Sequence, residues 1–147
     1  MKITLVAVGK LKEKFLTDGV AEYLKRLRPF VKIEVREVAE QKSVAEEGKK
    51  LLAQVPKENF LCVLDVAGEF LTSEDFAKKI ANLNLRGVSD ITFLIGGAFG
   101  LSEEVKQAAN FRLSFSPMTF THQMARLILV EQIYRAFKIN RGEPYHY

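Results

Sequence analysis

Ile91-Thr92-Phe93-Leu94-Ile95 runs straight into Gly96-Gly97-Ala98-Phe99-Gly100, and Ser102-Glu103-Glu104 follows. The first five residues are β-prone and mostly apolar on both alternating faces. A strand of that kind belongs inside a sheet covered by helices on both sides. The glycines open a turn in which backbone amides can approach a ligand closely, and Ser102 can cap a short helix after it. A strand, a glycine turn and a helix is also where α/β proteins bind nucleotides. The pattern is neither G-x-G-x-x-G nor a P-loop, since Ala98 replaces the second glycine and no Gly-Lys-Ser/Thr follows. A tight structural turn therefore remains an equal reading. Acidic residues just after it argue against a polyphosphate.

Further runs of the same type lie upstream. Ile3 to Val8 and Leu61 to Leu64 are apolar on both faces, whereas Val31 to Arg36 alternates strictly and predicts a strand near an edge. A fifth strand is expected over Phe111 to Phe115. Apolar residues at helical spacing separate these strands. Phe15, Val20, Tyr23, Leu24 and Leu27 precede Pro29, and Val44, Leu51, Leu52 and Val55 precede Pro56. Phe76, Ile80 and Leu83 follow a cap at Thr72 or Ser73. A long helix is expected from about Thr121 to Ile139. The alternation predicts one α/β domain over residues 1–147, with a mostly parallel sheet flanked by helices.

The composition agrees with a globular chain: 147 residues, 48% hydrophobic and 27% charged. A lone cysteine, Cys62, excludes a disulfide framework and reads as a core residue. Two histidines, His122 and His146, leave no multi-histidine metal site, so no metal is expected. No apolar run approaches the roughly 18 residues of a membrane span. No secretory leader is visible, so a cytoplasmic protein is expected. The net charge of +4 is uneven. Residues 1–50 carry 12 Lys/Arg against 8 Asp/Glu, residues 51–111 carry 5 against 8, and residues 112–147 carry 5 against 2. Basic ends can attract phosphates, a weak pointer to nucleic acid.

Three features of the last third bear on function. Leu127-Ile128-Leu129-Val130 are apolar almost all the way round a helix, at about 100° per residue. One sheet covers one side, so a second copy of the chain is the expected cover for the other, with a central helix of a lopsided monomer as the alternative. Phe115 to Phe120 forms a loop before that helix. Ser116-Pro117 reads as a cap and first helical residue, or the loop walls an aromatic ligand. His122 and Arg126 share a helix face, as a substrate-facing pair or a solvated stripe. The segment Arg141-Gly142-Glu143-Pro144-Tyr145-His146-Tyr147 is a candidate stacking platform for an RNA base, with Tyr145 packing back against the fold as the competing reading.

Taken together, these stretches resemble the RlmH (YbeA) family of SPOUT-class RNA methyltransferases. The resemblance rests on Leu64-Asp65, Leu94 to Leu101, Leu113 to His122, Glu131 to Ile139 and Gly142 to His146. It implies a trefoil knot in the C-terminal part, a homodimer, and S-adenosylmethionine as cofactor. Donor contacts are implied at Leu64, Gly96, Phe115, Ser116, Pro117, Met118, Thr119 and Phe120. The implied reaction is methylation of N3 of a pseudouridine in 23S rRNA on assembled ribosomes. His122, Arg126 and His146 are candidates to act on the substrate, and Arg126, Tyr145 and His146 to contact RNA. Two positions depart from the family pattern: Thr121 stands where proline is frequent, and Tyr147 where a basic residue is. A nucleotide-binding enzyme of another kind and a non-enzymatic ribosome- or RNA-binding factor with a vestigial pocket are the rival readings.

Overall fold

The computed structural model describes all 147 residues. Five strands alternate with five helices: β1 (Lys2–Val8), α1 (Lys14–Leu27), β2 (Lys32–Val38), α2 (Val44–Ala53), β3 (Phe60–Phe70), α3 (Ser73–Leu85), β4 (Asp90–Ile95), α4 (Glu103–Ala108), β5 (Phe111–Ser114) and α5 (His122–Asn140). All named strand pairs are parallel, in the order β2-β1-β4-β3-β5. The alternating strand β2 is at an edge, and β1, β4 and β3 lie inside. That is where strict alternation and two-sided apolarity predict them.

The strand period splits the core into two layers. Ile3, Leu5 and Ala7 of β1 with Ile91, Phe93 and Ile95 of β4 meet α1, α3 and α5 on one face. Val6 and Val8 with Leu61, Val63 and Leu94 meet α2 and α4 on the other. Cys62 is buried in the first layer, and burial pushes its thiol up to about 12, leaving it an inert core group. No helix is long and apolar enough to cross a membrane.

Helix starts follow their capping residues. Ser43, Thr72, Ser102 and Thr121 each accept a backbone N–H three residues on. Ser116-Pro117 is not such a start. Ser116 Oγ takes the Met118 amide inside an irregular loop, and α5 begins five residues later under Thr121. The capping reading of that pair is corrected accordingly.

Strand β3 also differs from expectation. It continues to Phe70 through an irregularity, and both Leu64 and Glu69 pair with Leu113 of β5. Asp65 accepts the Ala67 amide within the detour. At Gly68 an added Cβ would lie 2.6 Å from the Arg112 carbonyl oxygen, so only glycine lets the two backbones touch.

The apolar helix finds part of its cover within the chain, and Leu127 and Ile128 stay half-buried. Helix α5 lies between α1 and α3, with Leu129, Val130, Ile133 and Ala136 fully buried. Leu127 packs on Gly19 of α1, where a Cβ would be 3.0 Å from its Cδ1. The expectation assumed that the chain's own sheet covers only one side. Helices α1 and α3 on either side of α5 cover Leu129 and Val130 as well, so these two are core residues and carry no argument for a dimer.

Candidate donor-binding cavity

Three chain turns converge at one end of the sheet. The β3 detour brings Leu64, Asp65 and Val66, the turn after β4 brings Gly96 to Leu101, and the loop after β5 brings Ser114 to Thr121. Between them lies a cavity of about 740 Å³, closed by His122 and Ala125 of α5 and by Lys106 of α4. That volume is in the range of small-molecule sites. Its walls include Phe99, Leu101, Phe115 and Phe120, and Lys106 is the only lysine or arginine lining it. One cation and two acidic neighbours on α4 suit a phosphate poorly.

The turn after β4 is closed on itself. Gly97 and Gly100 form an antiparallel bridge, and Gly100 donates to the Gly97 carbonyl at 3.1 Å. Gly100 has φ +85°, which favours glycine. A Cβ on Gly96 would lie 2.8 Å from the Gly100 carbonyl oxygen and 2.9 Å from Leu101 Cδ2. Gly96 is thus demanded by the turn's own backbone. Size, apolar walls and a glycine turn suit a flat aromatic ligand without phosphates.

Of the eight implied donor contacts, Leu64, Gly96, Phe115, Ser116, Met118, Thr119 and Phe120 line the cavity, while Pro117 does not. His122 also lines it. Sequence reasoning missed Asp65, Phe99, Leu101, Lys106 and Ala125. For Phe99 and Leu101 the signal was present, since they stand in the glycine stretch itself.

Arg126 and His146 are placed elsewhere. Arg126 is 1% exposed; it pairs with Glu37 and donates to the Gly9 carbonyl at 3.0 Å. One helical turn from His122, it points beneath the β1 end and ties α5 to β1 and β2. The substrate-facing and RNA-facing readings of Arg126 are therefore corrected, because its side chain reaches neither cavity nor solvent in the folded chain.

Residues 145–147 fold back on the helices. The Tyr145 ring meets Tyr134 edge-on at 4.8 Å between centroids. Its hydroxyl reaches Glu131 at 2.9 Å and Tyr23 at 3.1 Å. Burial, then these two hydrogen bonds, raise the phenol well above its ordinary pKa. His146 Nδ1 faces an Arg135 N–H at 3.0 Å and Nε2 faces Glu74 at 2.7 Å. Since arginine only donates, Nδ1 accepts and Nε2 carries the proton toward Glu74. Tyr145 thus packs against the helices, as the competing reading of the segment had it, and Tyr147 is fully exposed.

Residues 1–146 match the family described as "Predicted SPOUT methyltransferase". The chain belongs to the SPOUT methyltransferase family. Relatives of this SPOUT chain include proteins named "Ribosomal RNA large subunit methyltransferase H" from Halothermothrix orenii, 52% identical, and Pelotomaculum thermopropionicum, 54% identical. The alignments cover 99% of this chain in both cases, and 99% and 98% of the relatives. A Methanococcus maripaludis protein with the same name prefixed "Putative" is 45% identical, with 99% of each chain covered. A solved structure titled as a probable methylase family protein from Haemophilus influenzae superposes with a TM-score of 0.59. It is 11% identical, covers 99% of this chain and 70% of its own, and so bears on the fold alone.

Proposed function

We propose that this chain transfers a methyl group from S-adenosylmethionine to large-subunit ribosomal RNA. The observation that carries the reading is the cavity at the convergence of the three turns, in a member of the SPOUT methyltransferase family. The names of the relatives at about half identity supply the substrate class. The finer target, N3 of a pseudouridine on assembled ribosomes, rests on the family resemblance and is proposed with it. A cytoplasmic location follows from such a substrate. The trefoil knot is part of the same proposal. It is supported by the path of the chain, which leaves edge strand β5 and returns across the sheet to seat α5 between α1 and α3.

The donor brings an already activated methyl on a sulfonium, so the protein's task is placement. Gly96 to Leu101 and Phe115 to Phe120 offer backbone groups and apolar walls that hold a flat adenine and exclude water. His122, at the first position of α5 and facing the cavity, is the candidate to take the N3 proton, directly or through one water. Arg126 serves this step indirectly, by fixing α5 against β1.

The test is incubation of the protein with methyl-labelled donor and ribosomes lacking the modification. Label entering large-subunit rRNA is the expected result. Binding of S-adenosylhomocysteine without transfer would leave only a ribosome-binding factor, and binding of ATP or NAD in its place would refute the donor assignment.

A homodimer is also proposed, now on different residues. Lys12 N–H bonds Gln123 of α5, bringing the start of α1 to the entrance of α5. Around this end Phe15 is 61% exposed, Met118 74% and Phe120 39%. Such apolar exposure beside a cavity mouth suits a second copy. Sedimentation should show a dimer for the parent and a shift toward monomer for Phe15→Glu, with the melting temperature nearly unchanged. A parent that sediments as a monomer at all concentrations would end this proposal.

The residue 145–147 segment gives a split prediction. Deleting it should lower the melting temperature, because the Tyr145 contacts with Tyr23, Tyr134 and Glu131 go. Tyr147→Ala should leave melting and S-adenosylhomocysteine binding unchanged while transfer to ribosomes falls, since losing one stacked aromatic costs roughly 1–3 kcal/mol. Full transfer by Tyr147→Ala would exclude that ring from RNA contact.

A further inference from the structure

Glu47 is 4% exposed, in the layer between the sheet and helices α2 and α4. It stands in the first turns of α2, four residues after the Ser43 cap. No lysine, arginine or histidine pairs with it. Burying a carboxylate without a cation is costly, and the positive end of the helix dipole offsets part of that cost. Stability alone favours an apolar side chain at such a position.

What the carboxylate does reach is the turn after β4. Glu47 Oε1 accepts the Gly97 N–H at 3.2 Å. Gly97 is in the cavity wall and Glu47 is not, so the contact is made from outside. The fit leaves no room for a side chain, because a Cβ on Gly97 would lie 2.7 Å from Glu47 Oε1. The next residue of α2 holds the far end of the same turn. A Cβ on Gly48 would lie 2.2 Å from Ser102 Oγ, the cap of α4. Two consecutive residues of α2 thus brace both ends of the segment that walls the cavity. One of them uses a buried charge to do it.

We propose that Glu47 is a positioning residue for the methyl donor, fixing the Gly96 to Leu101 turn in its ligand-accepting shape through the Gly97 amide. The proposal rests on the cavity being the donor's site. Its carboxylate touches neither donor nor RNA. Removing it should therefore weaken donor binding and leave the rate at saturating donor alone.

Two variants of nearly equal length test this in the full chain. Glu47→Gln keeps an acceptor oxygen, and Glu47→Met removes it while suiting the buried site. Calorimetry should show S-adenosylhomocysteine binding weakened about tenfold by Glu47→Met and by no more than about threefold by Glu47→Gln. Hydrogen exchange at the Gly97 amide should quicken in Glu47→Met only. Methyl transfer at saturating donor should be close to the parent's in both. Glu47→Met binding as tightly as the parent would overturn the proposal, as would Glu47→Gln binding as weakly as Glu47→Met. If the parent binds S-adenosylhomocysteine and Gly96→Val does not, while Glu47→Met is unaffected, this inference fails and the donor assignment survives. If the parent itself binds none, the donor assignment falls and takes this inference with it.

Discussion

Leu129→Glu is expected to abolish the folded state. Leu129 of α5 is fully buried, in one core with Leu5, Phe93 and Ile133. A glutamate there finds no cation. Arg126, the buried cation one turn earlier, is already committed to Glu37 and the Gly9 carbonyl. An uncompensated buried charge costs several kcal/mol, about 3–5 when a buried pair is broken. Truncation to alanine already costs about 2–5 kcal/mol at such sites. A domain of this size has about 5–15 kcal/mol in all. Circular dichroism and denaturant titration should find Leu129→Glu unfolded or molten, and Leu129→Ala folded with a lowered midpoint. A well-folded, monomeric Leu129→Glu would instead place the residue in an interface between copies.

Gly96→Val is expected to cost S-adenosylhomocysteine binding about tenfold or more, ~1.4 kcal/mol at least. The cause is internal to the turn. A Cβ would stand 2.8 Å from the Gly100 carbonyl oxygen, a backbone atom that cannot swing aside as a flexible side chain does. The turn must then move, and the cavity wall with it. Lys25→Ala, on the basic final turn of α1, is the appropriate control and should bind like the parent. Lys106→Ala is unsuitable, because Lys106 lines the cavity. Gly96 is buried at the end of β4 and Leu101 packs against the second core layer, so some fall in melting temperature is expected beside the loss of binding. Equal affinities for Gly96→Val and the parent would remove the glycine turn from the site.

The effect of Gly96→Val is local to one turn, whereas that of Leu129→Glu depends on packing distant along the chain. Hydrophobic period is a property of a few neighbouring residues. The two-sided strands Ile3 to Val8 and Ile91 to Ile95, the edge strand and the caps at Ser102 and Thr72 were therefore legible in the chain. The glycine turn and the 115–120 loop were legible as candidate walls for the same reason, and the family resemblance joined them into one site. The resemblance was needed because nothing in spacing says that two loops so far apart in sequence face one cavity.

The tertiary structure decided matters that depend on partners distant along the chain. Whether Leu127 to Val130 meets a second copy or its own helices is set by the packing of α1 and α3, more than 30 residues away in sequence. Arg126 looked like a substrate ligand because its charge predicts exposure. Glu37, 89 positions earlier, makes burial tolerable. Tyr145 could be read as free or as packed, and Tyr23, 122 positions away, decides for packing by meeting its hydroxyl. Glu47 gave no signal at all, since a lone glutamate in a helix reads as solvent-facing. The amino-acid sequence by itself determined the elements, the layering of sheet and helices, and two of the three turns that form the cavity, because backbone propensity and amphipathic period are local. Which charged and aromatic side chains serve the ligand and which serve the fold was decided only by tertiary packing. The energy of a charge or ring depends on what surrounds it.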